Sequence, residues 1–300
     1  MVEKRPGLVL FAHIVLVCGV ILTALPLWIA FVASTHPLEN LTSGRIPLIP
    51  SDRLVENYLP LLTEGGRNGL PPTLLMMKNS LIMAVGITVG KIIVSFLAAF
   101  AIVFFRFRFR MICFWLIFIT LLLPVEVRII PTYEVVANVY SPLQQIWALF
   151  GISVKMKLSL LNSYTGLTLP LIASATATFL FRQVFMTIPD ELVEAARMDG
   201  AKPIRFLKDF LLPLSRTNIA ALSVILFIYG WNQYLWPLLI TTDESFSTVV
   251  VGIQRMVNAA ESLPFWNEVM ALAILAMLPP VLVVIFMQGL FVKGLIESEK

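Results

Sequence analysis

Five side chains set the chemistry this chain can perform. Lys91, Glu126 and Arg128 fall inside long apolar stretches, and Asn232 and Gln233 sit among Trp231, Tyr234 and Trp236 in another. A charge near the centre of a bilayer costs about 2.5–3.5 kcal/mol on insertion scales, so such residues turn toward a bundle interior or a water-filled cavity. An arginine fork matches phosphate oxygens, which makes Arg128, with Lys91, a candidate phosphate contact. The alternative is an interhelical lock in which Lys91 or Arg128 pairs with Glu126, or an Arg128 that snorkels outward. Asn232 and Gln233 carry the donors and acceptors a polyol needs. They equally suit bonds to neighbouring helices, with the aromatic residues in an interfacial belt.

Covalent chemistry finds no support. His13 and His36 are far apart with no Cys or carboxylate cluster between them, so no metal site is expected. Cys18 and Cys113 both lie in apolar stretches and read as buried thiols acting as small hydrophobes. The stretch Gly86–Ile92 (GITVGKI) resembles a nucleotide loop only superficially. A phosphate-binding loop needs four residues between its glycines and Ser or Thr after the Lys, whereas here there are three and Ile92 follows. Gly86 and Gly90 read instead as a small-xxx-small face that lets a neighbouring helix come close. A process that consumes ATP would need another subunit to bind it.

The elements that must position these residues are membrane helices. Hydrophobic residues make up 58% of the chain and charged residues 13%, against about half and a quarter in soluble domains. The apolar runs are continuous rather than alternating, and a bilayer core takes roughly 20 helical residues to cross. The expected fold is all-α: a single polytopic membrane domain over 1–300, with spans at 8–33, 79–105, 111–133, 164–185, 217–240 and 266–292. The first run follows Lys4 and Arg5 but is too long for a secretory signal and lacks a small-x-small cleavage site, so it reads as an uncleaved anchor. Basic residues concentrate in the links around Arg106, Arg108, Arg110, Arg197, Lys202, Arg205 and Lys208, which puts both termini in the cytoplasm. The net charge of +4 reflects that bias and calls for no nucleic acid. Pro279 and Pro280 should kink the last span. The segment 35–77 is expected as an irregular outside loop, a plausible docking surface for a partner.

Residues 187–214 are the polar exception between two apolar runs. Thr187, Pro189, Asp190 and Glu191 mark a helix start, since Pro fits the first turn and acidic residues suit the helix dipole. Leu192, Ala195, Ala196 and Asp199 share a face at helical spacing, and the two alanines give it low relief. Gly200 should end this helix in a left-handed conformation, and Pro203 should start the next. The plain alternative is an interfacial hairpin with no partner.

The pattern Glu194, Ala195, Ala196, Gly200, Phe210, Leu212 and Pro213 resembles the EAA loop of permease subunits of binding-protein-dependent ABC importers; the family usually has Ile where Phe210 stands. The resemblance covers nearly the whole chain, through LLLPVEVRIIPTYEVVAN, GLTLPLIASATATFLFRQVFMTIPDELVEAARMDGA and FIYGWNQYLWPLL, and falls in the maltose-type carbohydrate importer group. It implies a non-catalytic, multi-pass subunit of a bacterial inner membrane that couples a translocation pathway to a separate ATPase. It implies a heterodimer with a second permease, two copies of an ATP-binding subunit that hold ATP and Mg, and a periplasmic substrate-binding protein. It also implies ATPase coupling by Glu194, Ala195, Ala196, Asp199 and Gly200. The expected cargo is sn-glycerol-3-phosphate; another sugar or polyol is the alternative, and a secondary transporter the alternative of another class. The outside segment 141–162 is longer than usual in such permeases.

Overall fold

The computed structural model describes residues 6–42, 47–66, 69–120, 122–153, 155–258 and 264–297, excluding the side chains of 6, 125, 126 and 290–297. No strand occurs among them. The helices are α1 Pro6–Ser34, α2 Leu38–Thr42, α3 Leu54–Thr63, α4 Thr73–Phe104, α5 Arg110–Ile119, α6 Val125–Ala137, α7 Ser141–Ala148, α8 Tyr164–Thr168, α9 Ala175–Met186, α10 Asp190–Met198, α11 Pro203–Phe206, α12 Leu212–Leu214, α13 Arg216–Trp231, α14 Leu235–Ile240, α15 Val249–Val257 and α16 Trp266–Glu297. They group into two compact units, residues 1–77 with 251–278, and residues 78–250 with 279–300.

Three helices, α1, α4 and α16, are long and apolar enough to cross a bilayer unaided. The 29 residues of α1 and the 32 of α4 reach about 43 and 48 Å at the helical rise. Helix α1 is apolar on every side and exposed along most of its length, as a lipid-facing helix must be. Its few polar side chains bond back to its own backbone: His13 Nδ1 contacts the Val9 carbonyl at 2.6 Å, and Thr23 Oγ1 donates to the Gly19 carbonyl at 3.0 Å. Cys18 and Cys113 are exposed on apolar helices rather than buried as expected. Helix α16 continues through both Pro279 and Pro280.

The first unit corrects the reading of 35–77 as an irregular loop. Helices α2 and α3 form within it, and side chains strap it to the end of α1. Asn57 donates to the Ser34 and His36 carbonyls at 2.8 and 3.1 Å, the Tyr58 hydroxyl meets Ser34 Oγ at 2.7 Å, and Trp28 Nε1 donates to the Leu48 carbonyl at 3.1 Å. Burial pushes the Tyr58 phenol above its ordinary 10.0, and the Ser34 bond offsets part of that.

In the second unit, the three middle spans expected as continuous are each interrupted, and proline explains every break. Proline cannot donate to the carbonyl four residues earlier, and its ring crowds that carbonyl. Pro124 faces the carbonyl of Thr120, where α5 has ended, and α6 starts immediately after it. Pro170 leaves the Gly166 carbonyl without its helical donor, and Trp236 Nε1 donates to that oxygen at 3.2 Å. The chain then bends by 50° before α9, which Ser174 caps by accepting from the Ala177 amide at 3.2 Å. Pro237 lies in the first turn of α14 and cannot donate to the carbonyl of Gln233, which stands in the gap after α13.

The small-residue face of α4 is packed tightly. A methyl group placed on Gly86 would lie 2.8 Å from Thr168 Cγ2, and one on Gly90 would lie 2.4 Å from Ile172 Cγ2. The broken stretch around Pro170 therefore rests against α4 where only glycine leaves room. Along α4, Met83 and Ile87 join one buried cluster with Val136, Leu167, Trp236 and Ile240. Phe96, Ala99 and Phe100 join another with Phe181, Phe185, Phe206 and Leu211. Lys91 lies between the two.

Candidate functional site

A cavity of about 670 Å³ opens beside Lys91, and the three helix breaks converge on it. Thr120, Leu123 and Pro124 come from the first break, Pro170, Leu171 and residues 173–176 from the second, and Tyr229 and Trp236 flank the third. Interrupted spans with helix ends at mid-membrane are a recurrent way to build a polar site in lipid, because the freed backbone groups then line a cavity. Here the N-terminal ends of α6 and α9 both reach the wall, at Pro124 and at Ser174 to Thr176. The positive ends of two helix dipoles thus lie on one cavity.

The charged wall has a single sign among the described side chains. Lys91 is 6% exposed, and its Nζ lies 3.7 Å from the centroid of the Tyr229 ring. A desolvated ammonium over an aromatic face gains on the order of 2 kcal/mol, so the Tyr229 ring holds the Lys91 side chain in place at the cavity. Arg128 lines the same cavity from the first turn of α6. Glu126 belongs to α6, but its side chain lies outside the described residues. Hydroxyl groups of Thr132 and Thr178 also face the cavity, each donating to a backbone carbonyl of its own helix, Arg128 and Ser174 respectively. Their oxygens keep lone pairs for a ligand hydroxyl. Two cations, two helix N-termini and a ring of hydroxyls on apolar walls suit a small anion bearing alcohol groups.

Asn232 and Gln233, read as contacts for either a polyol or neighbouring helices, do not line this cavity. Helix α13 ends at Trp231, and the chain leaves the helical face there. Asn232 is exposed, and Gln233 turns back to donate to the Tyr229 carbonyl at 3.0 Å, closing the end of the helix. Tyr229 and Trp236, from the same stretch, line the cavity. No sequence signal separated these two aromatic residues from the others in the same run.

The polar insert forms a second candidate surface. Helix α10 carries Asp190 and Glu191 in its first turn and Arg197 in its last, complementing its dipole at both ends. Asp199 caps it, and Gly200 follows at φ +71°. The Gly200 amide donates to the Arg197 carbonyl at 3.0 Å, and the Ala201 amide donates to the Ala196 carbonyl at 2.9 Å, the paired bonds of a Schellman ending. The next helical piece, Pro203–Leu214, contains a π turn at Leu207–Leu211, where the Leu212 amide reaches back to Leu207. That wider turn stands just before Pro213, which cannot supply the regular bond to Asp209.

The face expected on α10 is split in the structure. Glu194, Ala195, Asp199 and Gly200 are exposed, but Ala196 is 2% exposed and packs among Phe100, Phe185, Phe206 and Leu211. Ala196 therefore seats the insert on the bundle. The outward face is completed by Met198 and Ile204, 83% and 81% exposed, on either side of Gly200.

Residues 91–297 match the family described as binding-protein-dependent transport system inner membrane components. The chain belongs to this family. Its relatives include the sn-glycerol-3-phosphate transport system permease proteins UgpE of Brucella melitensis, 53% identical over 301 residues, and of Salmonella typhi, 54% identical over 300, with both chains of each pair covered in full. A chain from a bacterial ABC transporter that imports the acidic polysaccharide alginate has the same fold, with a TM-score of 0.73 at 18% identity over 96% of this chain and 98% of that one. A second such structure, in complex with an alginate pentasaccharide-bound periplasmic protein, gives 0.59 at 15% identity over 95% and 94%. This permease is thus a multi-pass inner-membrane transport component, which removes the secondary transporter. Both the Lys91 cavity and the Glu194–Gly200 segment lie within the matched region.

Proposed function

We propose that this permease forms half of the pathway of an ATP-driven importer for sn-glycerol-3-phosphate. The observation that carries the reading is the cavity: Lys91 and Arg128 on one wall, inside a chain similar along its full length to permeases named for that phosphate ester. Arg128 and Lys91 meet the phosphate, Tyr229 positions Lys91, and the threonine hydroxyls meet the glycerol end. A neutral sugar or polyol would leave the buried Lys91 and the neighbouring Arg128 without an anionic partner, which is unfavourable for a charge held away from water.

In this reading the chain crosses the membrane six times with both termini in the cytoplasm, each interrupted stretch counting as one crossing. A second permease completes the pathway, a periplasmic binding protein delivers cargo, and two copies of a separate subunit bind and hydrolyse ATP with Mg. Glu194, Ala195, Asp199 and Gly200 present the surface that one ATPase subunit grips, with Met198 and Ile204 filling apolar hollows in it. Ala196 acts through the bundle: its tight seat transmits displacement of α10 to the Phe-rich cluster and so to α4 and α9. This supplies a two-state element biased by a remote ligand, as coupling requires.

Purification from native membranes tests the assembly, and reconstituted uptake tests the cargo. An ATPase, a second permease and ATP-dependent uptake of the phosphate ester are expected. Uptake by the isolated chain would contradict the reading. Glu194→Lys and Gly200→Pro should abolish uptake while the subunit stays in the membrane; normal uptake by both would exclude this segment as the coupling surface.

A further inference from the structure

Helix α7 is built with its faces the wrong way round for water. Leu143, Ile146 and Trp147 follow the i, i+3, i+4 spacing of one stripe of α7, Phe150 follows in the turn just after the helix, and all four are exposed. Leu149 and Phe150, at the tip, are 84% and 75% exposed. The polar Gln144 turns the other way: it is half-buried, accepts from Asn138 at 2.8 Å and donates to the Met156 carbonyl. Two backbone bonds, Val139 amide to Leu158 carbonyl and Leu160 amide to Val136 carbonyl, both 2.8 Å, close the base of the excursion. The arm is therefore fixed at its root and apolar on its outside.

Charge and connectivity indicate what lies outside. The arm leaves from the end of α6 and returns at α8, both of which belong to interrupted membrane crossings, so it projects at a membrane face. No Asp or Glu occurs between residues 135 and 189, while Lys155 and Lys157 stand on the return limb and are exposed. An apolar stripe with Trp and Phe, flanked by lysines and free of carboxylates, is the composition of a helix lying in the headgroup boundary. A partner that comes and goes would leave this stripe in water between encounters, and interfaces of that kind are about as polar as ordinary surface.

We propose that the arm of residues 141–157 is an interfacial wedge. Trp147, Leu149 and Phe150 enter the acyl boundary of the adjacent leaflet, and Lys155 and Lys157 lie at the phospholipid phosphates. The inference rests on the chain being a membrane permease and is independent of its cargo.

Nitroxide labels test it in the intact importer, reconstituted in vesicles of phosphatidylethanolamine and phosphatidylglycerol. Labels are attached singly at Phe150→Cys and Gln145→Cys, with Cys18→Ser and Cys113→Ser to clear the background. The label at position 150 should collide with oxygen but not with a water-soluble nickel chelate, at a depth of about 5–10 Å below the headgroups. The label at position 145 should meet the chelate freely. Addition of loaded binding protein should change neither. Chelate access at 150 would overturn the proposal. So would shielding at 150 from both reagents, which would mean that the second permease covers the stripe, or shielding that appears only with the binding protein.

Discussion

Replacement of Gly90 by alanine offers a sharp test of how this permease is held together. The added methyl would lie 2.4 Å from Ile172 Cγ2 and 2.9 Å from Ile172 Cβ. The second distance decides the outcome. Rotation of the isoleucine side chain moves Cγ2 but not Cβ, so relief requires the backbone around Pro170 to shift by about an ångström from α4. Overpacking of this kind costs about 1–3 kcal/mol, more than the roughly 1 kcal/mol by which alanine improves on glycine within a helix. The purified importer should therefore melt earlier with Gly90→Ala and accumulate to a lower level in membranes. Gly19→Ala, inside α1 with nothing within 4 Å of the new methyl, should be neutral to stabilising, by up to about 1 kcal/mol. Ile172→Gly, which removes Cβ as well as Cγ2, should rescue Gly90→Ala, with a coupling of about 0.5–3 kcal/mol in the double-mutant cycle. A Gly90→Ala importer with unchanged melting, or a double variant no better than Gly90→Ala alone, would refute the close approach.

Two further predictions follow from single hydrogen bonds. Trp236→Phe keeps the ring but strands the Gly166 carbonyl that Pro170 has already deprived of its helical donor; thermal melting should report a loss of about 1–3 kcal/mol, and a neutral result would mean another donor takes over. Tyr58 titrates above its ordinary 10.0 in the folded protein, so the folded state holds that proton more tightly than the unfolded chain. Its contribution is therefore complete below pH 10 and is lost as pH rises beyond it. Hydrogen exchange around Tyr58 should accelerate above pH 10 in the parent, and Tyr58→Phe should flatten that rise; an equal rise in both would place the titrating group elsewhere.

Much of the architecture was legible in the residues, and the exceptions share one cause. The spans at 8–33, 79–105 and 266–292 are visible because each coincides with one long, uninterrupted apolar helix. The stretches at 111–133, 164–185 and 217–240 look just as continuous by hydropathy, yet Pro124, Pro170 and Pro237 break them. Pro279 and Pro280, which carry the same local penalty, leave α16 in one piece. Whether a proline interrupts a helix depends on who receives the freed carbonyl, and the indole of Trp236 lies 70 residues from Gly166 in the chain. Lys91 and Arg128 stood out because charge in an apolar run demands a cavity. Tyr229 did not, since one aromatic residue among many carries no such demand. Ala196 shows the remaining ambiguity: a small residue on a polar helix serves equally for contact with a partner or for a tight seat in the core, and only the Phe-rich cluster around it decides.

The account turns on Arg128 and Lys91 receiving the phosphate during passage. The most direct test is uptake per ATP hydrolysed by the complete importer in proteoliposomes, at saturating loaded binding protein, with Arg128→Gln beside the parent. Hydrogen bonds to a charged group contribute about 1.5–3 kcal/mol, so uptake per ATP should fall by about 10- to 150-fold, with Arg128→Lys between the two and ATP hydrolysis itself retained. Unchanged uptake per ATP in the Arg128→Gln importer would contradict the account.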